Sequence, residues 1–195
     1  MGDKSIQKKS YIVERAREVF QKRGYRTVTM KDIVEACDIS RGGLYLYFSS
    51  TKELFEAVLE QEYAGISGIM ETAGAKAETP GEIMLIYLSN QKKAILKKKD
   101  NLSAAVYEYL FENKLSENDN PVRNRFDRNV SELEALIKDG VEQEWMICDD
   151  AAAAAKSIAY VIEGMKITAQ TIGLTADDID REIEYIMGTL GMVIE

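Results

Sequence analysis

The sequence predicts an all-α chain with a small N-terminal head carrying a helix-turn-helix and a larger C-terminal helical body. Three observations predict it. Apolar residues recur at helical spacing through the chain, and no alternating strand pattern occurs anywhere. Helix caps and breakers fall between the periodic segments, most plainly at Thr79-Pro80-Gly81-Glu82 and Thr175-Ala176-Asp177-Asp178. Charge is divided unequally: residues 1–52 hold 11 Lys/Arg against 6 Asp/Glu, a balance of +5, whereas the remainder holds 14 against 27, a balance of −13.

The first helix is expected from Ser5 to Arg23, with Ile12, Ala16, Val19 and Phe20 on one stripe and Gly24 as its stop. Tyr25 is expected to pack as core under the helix-turn-helix. Lys4, Lys8 and Lys9 read first as solvated charge at a terminus, and second as phosphate contacts.

The run Thr29 to Phe48 organises the chain. Thr29 is placed to cap a short helix bearing Ile33, Val34 and Cys37. Asp38-Ile39-Ser40 breaks it, because Asp tolerates the left-handed backbone such a turn needs and Ser40 is a good cap for the next helix, Arg41 to about Phe48. At 100° per residue Leu44 and Phe48 share a buried side, which turns Gly42 and Leu46 outward. An outward Leu between Tyr45 and Tyr47, with Gly42 and Gly43 in the first turn, suits close approach to a partner better than a face bathed in water.

Double-stranded DNA is the simplest such partner. Its major groove admits a helix, and helix-turn-helix proteins present the start of their second helix to base edges. Arg41 suits a guanine and Leu46 a thymine methyl, while Ser40, Tyr45, Tyr47 and the helix amides suit phosphates. The pattern alone also fits an ordinary αα-hairpin with a glycine-softened turn.

After Phe48, Ser49-Ser50-Thr51 offers caps for a fourth helix from Lys52 to about Lys76. Thr79 then opens a helix to about Lys99 whose Ile83 to Leu88 are apolar nearly all round, as in a helix buried on every side; Ser89, Asn90 and Gln91 would need partners there. Asn101 is read as the cap of the next helix and Pro121 as the start of a longer one, with Phe126, Val130, Leu133, Ile137 and Val141 on one face and Gly140 as a weak point. Trp145-Met146-Ile147-Cys148 is an apolar connector expected to be tucked in. Asp149 or Asp150 caps a helix ended by Gly173. The last helix starts after Thr175 and spaces Ile179, Ile183, Ile186, Leu190 and Val193 by 4, 3, 4, 3. That stripe suits helices packing lengthwise, either inside one subunit or between two.

Composition excludes several functions. With 46% hydrophobic residues in 195 the chain fills a real core, and no apolar run approaches the ~20 residues of a membrane span. Met1-Gly2-Asp3-Lys4 begins no secretory signal, so a cytoplasmic protein is expected. With no His and only Cys37 and Cys148, the common zinc sites and His-based catalytic arrangements are absent; no cofactor, no metal and no enzymatic activity are expected. A basic head on an acidic body keeps the body off phosphates and orients approach.

The run Ile12 to Phe55 resembles the DNA-binding domain of the TetR family of bacterial transcriptional repressors. The matching residues are Ala16, Phe20, Gly24-Tyr25, Thr29, Ile33, Ile39-Ser40, Gly42, Leu44-Tyr45, Tyr47-Phe48 and Leu54. Val34 and Cys37 stand where the family usually has alanines, and Asp38 where it usually has Gly. The family's customary Lys after the second helix falls at Thr51, with Lys52 one place later, so either takes the phosphate contact at the start of the fourth helix.

The resemblance implies about nine helices, a DNA-binding domain over 6–66 with its helix-turn-helix at about 30–49, and a ligand-binding and dimerisation domain over 67–195. It also implies a homodimer joined through the last two helices and a repressor released from its operator by a small molecule in the body. DNA contacts then fall to Thr29, Ser40, Arg41, Gly42, Gly43, Tyr45, Leu46, Tyr47, Thr51 and Lys52. Met84, Tyr87, Asn90, Tyr107, Phe111, Phe126, Trp145 and Met165 are the candidates for a pocket taking a largely apolar or aromatic effector, although each singly fits core packing. Tyr160, Ile167, Ile179, Ile183, Ile186 and Leu190 are the candidates for the dimer interface. The alternative is a DNA-binding protein without a small-molecule effector, controlled by a protein partner or acting architecturally.

Overall fold

The computed structural model describes residues 3–64, 73, 77–97, 102–113, 115 and 120–192. Among these the protein is all-helical, with nine helices: α1 (Asp3–Arg23), α2 (Met30–Cys37), α3 (Arg41–Tyr45), α4 (Thr51–Ala64), α5 (Pro80–Leu96), α6 (Ser103–Glu112), α7 (Pro121–Glu142), α8 (Ala151–Thr171) and α9 (Ala176–Thr189). No described helix is long and apolar enough to cross a membrane.

Most boundaries follow from caps. Thr29, Thr79 and Thr175 each accept from the amide three residues on, and Asp32, Glu82 and Asp178 reach back to the cap amide, closing three reciprocal boxes. Ser50 accepts from the Glu53 amide at 3.2 Å, while Glu53 reaches one residue further back to the Ser49 amide and hydroxyl, each at 2.7 Å. Of the two aspartates before α8, Asp150 is the cap.

These bonds hold the four carboxyls below the usual carboxylate range; for Asp32 the Thr29 hydroxyl and amide, then Arg23, bring it from 3.8 to about 2. A group depressed on folding contributes stability above its unfolded value and loses it as pH falls through the folded one. The melting temperature is therefore expected to hold down to about pH 5 and then fall toward pH 2, as followed by circular dichroism. An unchanged melting temperature at about pH 3 would contradict the role of these caps.

The chain forms two compact units. One comprises Met1–Gly65 and Lys99–Pro121, and holds α1 to α4 together with α6. A boundary after residue 66 would leave α6 with the body, but its packing lies on the head. The Tyr109 ring meets Tyr25 edge-on at 5.1 Å and Phe55 at 5.2 Å, and Phe20 closes the cluster 4.8 Å from Phe55. The Glu108 carboxylate accepts from the Tyr25 and Arg26 amides at 2.7 and 2.9 Å. Asn101, expected to cap α6, lies outside the described residues; Leu102 holds the cap position and makes no side-chain cap bond.

The other unit holds α5 and α7 to α9 around a core that includes Met84, Tyr87, Leu133, Ile137, Ile158, Ile162 and Ile179. The structure corrects the sequence reading in several places here. Helix α5 is not buried on every side: Leu85 is 44% exposed and Ser89 faces water, so Ser89 needs no internal partner. On α7, Val141 is exposed, and Leu136 and Gly140 are buried instead. Gly140 is a close-packing site rather than a weak point, because a Cβ there would meet Met146 Sδ at 2.6 Å. Glu144, with φ +63°, turns the chain so that Met146 folds back under α7. The connector is tucked in through Met146 and, in part, Cys148; Trp145 and Ile147 are exposed, and the Ile147 amide bonds to the Leu190 carbonyl at 2.8 Å. The continuation of α4 to about Lys76 falls largely outside the described residues, and Val193 lies outside them too.

Candidate nucleic-acid interface

The head builds one surface from the ends of three helices. Beneath it Ile12, Ala16 and Phe20 of α1, Ile33 of α2, Leu44 of α3 and Leu54 and Phe55 of α4 are all fully buried. Leu44 roots α3 in this core, and α3 packs on α2. Cys37 belongs to the same core; burial pushes its thiol up, away from the reactive thiolate form.

The turn before α3 has the predicted conformation. Asp38 is left-handed at φ 50° and ψ 49°, its amide bonds to the Glu35 carbonyl, and the Ile39 amide bonds to that of Val34. Ser40 then caps α3 by accepting from the Gly43 amide at 3.1 Å. After Tyr45 the coil is held by bonds from the Tyr47 and Phe48 amides to the Leu44 carbonyl, and Phe48 is buried.

What α3 leaves outside is the combination the sequence indicates. Leu46 is 82% exposed, Tyr45 and Arg41 are exposed, and the Arg41 guanidinium stands 5.5 Å from the Tyr45 ring centroid. Nothing lies within 4 Å of a Cβ built on Gly42, so this side of the helix is open to close approach. Gly43 has an internal reason: a Cβ there would stand 3.1 Å from the Ser40 hydroxyl and crowd the cap. Tyr47 is half-buried at the edge of this face.

The remaining candidates flank α3. Thr29 is exposed but engaged, since its hydroxyl donates to Asp32 Oδ2 at 2.6 Å. Thr51 and Lys52 occupy the first turn of α4, with Lys52 Nζ 3.8 Å from Glu56. Sequence reasoning read Lys9 first as solvated charge and only second as a phosphate contact. Its ammonium lies 5.5 Å from the Phe48 ring centroid and helps to hold the Glu53 carboxyl below its usual range, which brings a cation to the junction of α3 and α4. The run Lys4, Lys8, Lys9 was the available signal. The surface offers cations, helix-end amides and one apolar side chain, which together suit a polyanion with readable edges.

The pocket candidates separate into three groups. Met84, Tyr87 and Met165 share the body core, with Phe126 packed against it and Asn90 half-buried on α5. Tyr107 and Phe111 stand on α6 in the head unit, Phe111 with 77% of its surface exposed, so they do not join that core. Trp145 is half-exposed beside Gly81. Sequence reasoning missed the polar groups around Tyr87. Its hydroxyl donates to Asn129 Oδ1 at 3.2 Å and burial pushes it up to about 12, while the Lys166 ammonium, held down by burial, donates to Glu163 at 2.7 Å.

Four of the dimer candidates need correction. Ile179, Ile186 and Leu190 are buried within the protomer, and Ile183 packs against the same core, so the 4-3-4 stripe is internal. Tyr160 and Ile167 do lie on an exposed face of α8. On α9 the exposed apolar residue is Tyr185.

Residues 12–58 match the model described as bacterial regulatory proteins, tetR family, and residues 83–180 match the tetracyclin repressor-like C-terminal domain. The HTH-type transcriptional regulator YfiR of Bacillus subtilis is 31% identical over 158 residues, 79% of this chain and 76% of that protein. The HTH-type transcriptional regulator QacR of Staphylococcus aureus is 27% identical over 162 residues, 80% of this chain and 83% of that protein. Among solved structures, reduced Escherichia coli NemR superposes with a TM-score of 0.81 at 14% identity, over 96% of this chain and 100% of that one. Matches to both halves of the chain, and a relative above 30% identity along most of it, make this chain a member of the TetR family of bacterial regulatory proteins.

Proposed function

We propose that this chain is a cytoplasmic homodimeric repressor, without enzymatic activity, that holds a double-stranded DNA operator and leaves it when a small, largely apolar or aromatic ligand enters its body. Residues 6–66, with α6 packed on them, address DNA, and the remainder of 67–195 carries ligand binding and dimerisation. The observation that carries the reading is α3 itself: a helix capped by Ser40, rooted by Leu44, and presenting Arg41, Gly42, Tyr45 and Leu46 outward. Thr29, Ser40, Gly43, Tyr47, Thr51, Lys52 and also Lys9 surround it as phosphate contacts or as supports for them.

Five helical residues span roughly 7 Å and meet few base pairs, so affinity requires two heads on half-sites about one DNA turn, or a multiple of it, apart. The exposed faces of α8 and α9 support the pairing. Ser157, Tyr160, Gly164 and Ile167 line one, Arg181, Tyr185 and Gly188 the other, and no atom lies within 4 Å of a Cβ built on either glycine. The body core around Met84, Tyr87, Phe126 and Met165 supports an apolar or aromatic ligand, and the polar groups of Asn129 and Lys166 offer points to orient it.

Fluorescence anisotropy on DNA from upstream of the coding region, against shuffled DNA, tests the reading. Selective binding by two chains per site is the expected result. Arg41→Ala is expected to cost about 1–3 kcal/mol on the preferred site and to relax base choice. An equal loss on specific and shuffled DNA would remove Arg41 from base reading.

A further inference from the structure

Glu56 stands between two partners. Its Oε1 accepts the Tyr109 phenol at 2.6 Å and lies 3.8 Å from Lys52 Nζ, one helical turn earlier on α4. The first contact is short and charge-assisted; the second is at the limit of an ion pair. The three side chains differ in freedom. Tyr109 is fully buried, with its ring set among Tyr25 and Phe55, so the position of its hydroxyl is fixed by packing. The side chains of Glu56 and Lys52 are 40% and 49% exposed and can move. Tyr109 also sits beside Glu108, whose bonds to the Tyr25 and Arg26 amides seat α6 on the head.

We propose that Tyr109, acting through Glu56, is a positioning residue for Lys52 and so sets how strongly the first turn of α4 holds a DNA phosphate. The inference rests on the DNA-binding reading above. With the phenol bound, the carboxylate is drawn toward α6 and the ammonium is loosely paired, available to a phosphate. Without it, the carboxylate closes on Lys52 and competes with the phosphate for the same charge. A displacement of α6 that breaks one hydrogen bond thereby lowers phosphate affinity without touching α3. This places the control on a contact that is blind to sequence, so it acts on all DNA alike.

The test is a double-mutant cycle on the full chain, read by anisotropy with short random-sequence duplex DNA at low salt. Tyr109→Phe is expected to weaken binding about two- to fivefold, the range of a partly exposed ion pair, and to lower the salt slope by about one. Glu56→Gln is expected to bind as tightly as the wild type or more tightly. In the Glu56→Gln background Tyr109→Phe is expected to have no effect on affinity. The same fold loss with and without the Glu56 carboxylate would mean that Tyr109 acts only by holding the fold, and would overturn the proposal. So would weakening by Glu56→Gln alone, a measurement that stands even where Tyr109→Phe melts early. A wild-type chain that binds no DNA defeats the DNA-binding reading itself, whereas a wild type that binds with variants that fail the cycle defeats only the relay.

Discussion

Phe55→Ala is expected to lower the unfolding free energy by about 3–5 kcal/mol, the range of a buried aromatic truncated in a core that cannot collapse around the loss. Phe55 is fully buried, and its ring lies 4.8 Å from Phe20, 5.0 Å from Tyr25 and 5.2 Å from Tyr109. These partners come from α1, from the loop after it and from α6, so no single backbone shift refills the space. Interior packing tolerates such a gap poorly, since each lining ring loses dispersion contacts outright. Urea unfolding followed by circular dichroism measures the effect, and the selective DNA binding of the head is expected to go with it. A loss below about 1 kcal/mol would mean that the rings repack, and that the cluster is less constrained than its geometry indicates.

The second large effect is expected at Gly24, where Ala should destabilise by about 2–4 kcal/mol. Two causes add. At φ +76° an L residue is strained by about 1–2 kcal/mol. The new Cβ would also stand 2.6 and 2.8 Å from the Glu108 carboxylate oxygens, displacing the acceptor of the Tyr25 and Arg26 amides; an orphaned donor costs about 1–3 kcal/mol where water does not replace the bond. The causes separate in a Glu108→Ala background, where only the backbone strain should remain and the penalty of Gly24→Ala should shrink. An identical penalty in both backgrounds would assign the whole effect to φ.

These two predictions rest on contacts that the sequence did not display, whereas the local geometry of the candidate interface was largely readable from it. Caps, the left-handed Asp38 and the buried pair Leu44–Phe48 depend on neighbours within four residues, and short-range geometry translates directly from spacing. A helical stripe says that a helix has a buried side, but not what covers it. The 4-3-4-3 spacing from Ile179 onward fits an interface between subunits as well as it fits a core, and the structure packs its described members, Ile183 only in part, within the protomer. Likewise α6 reads as an amphipathic helix of the body until Tyr109 is seen against Phe55 and Glu56. Gly140 shows the same limit. Its neighbour across the chain reversal is Met146, and a glycine that admits a side chain looks the same in sequence as one that weakens a helix.

The placement of α6 bears on synthesis. Tyr25 and its Glu108 acceptor are 83 positions apart, and the chain builds α5 in between, for the other unit. A nascent chain that has emerged only through α4 therefore exposes the ring faces of Tyr25 and Phe55 and two unpaired amides. The head reaches its full stability only once α6 has been made, so domain-by-domain folding in order of synthesis is incomplete here. An expression fragment stopped after α4 inherits the same defect, and a head intended to stand alone should carry α6 with it.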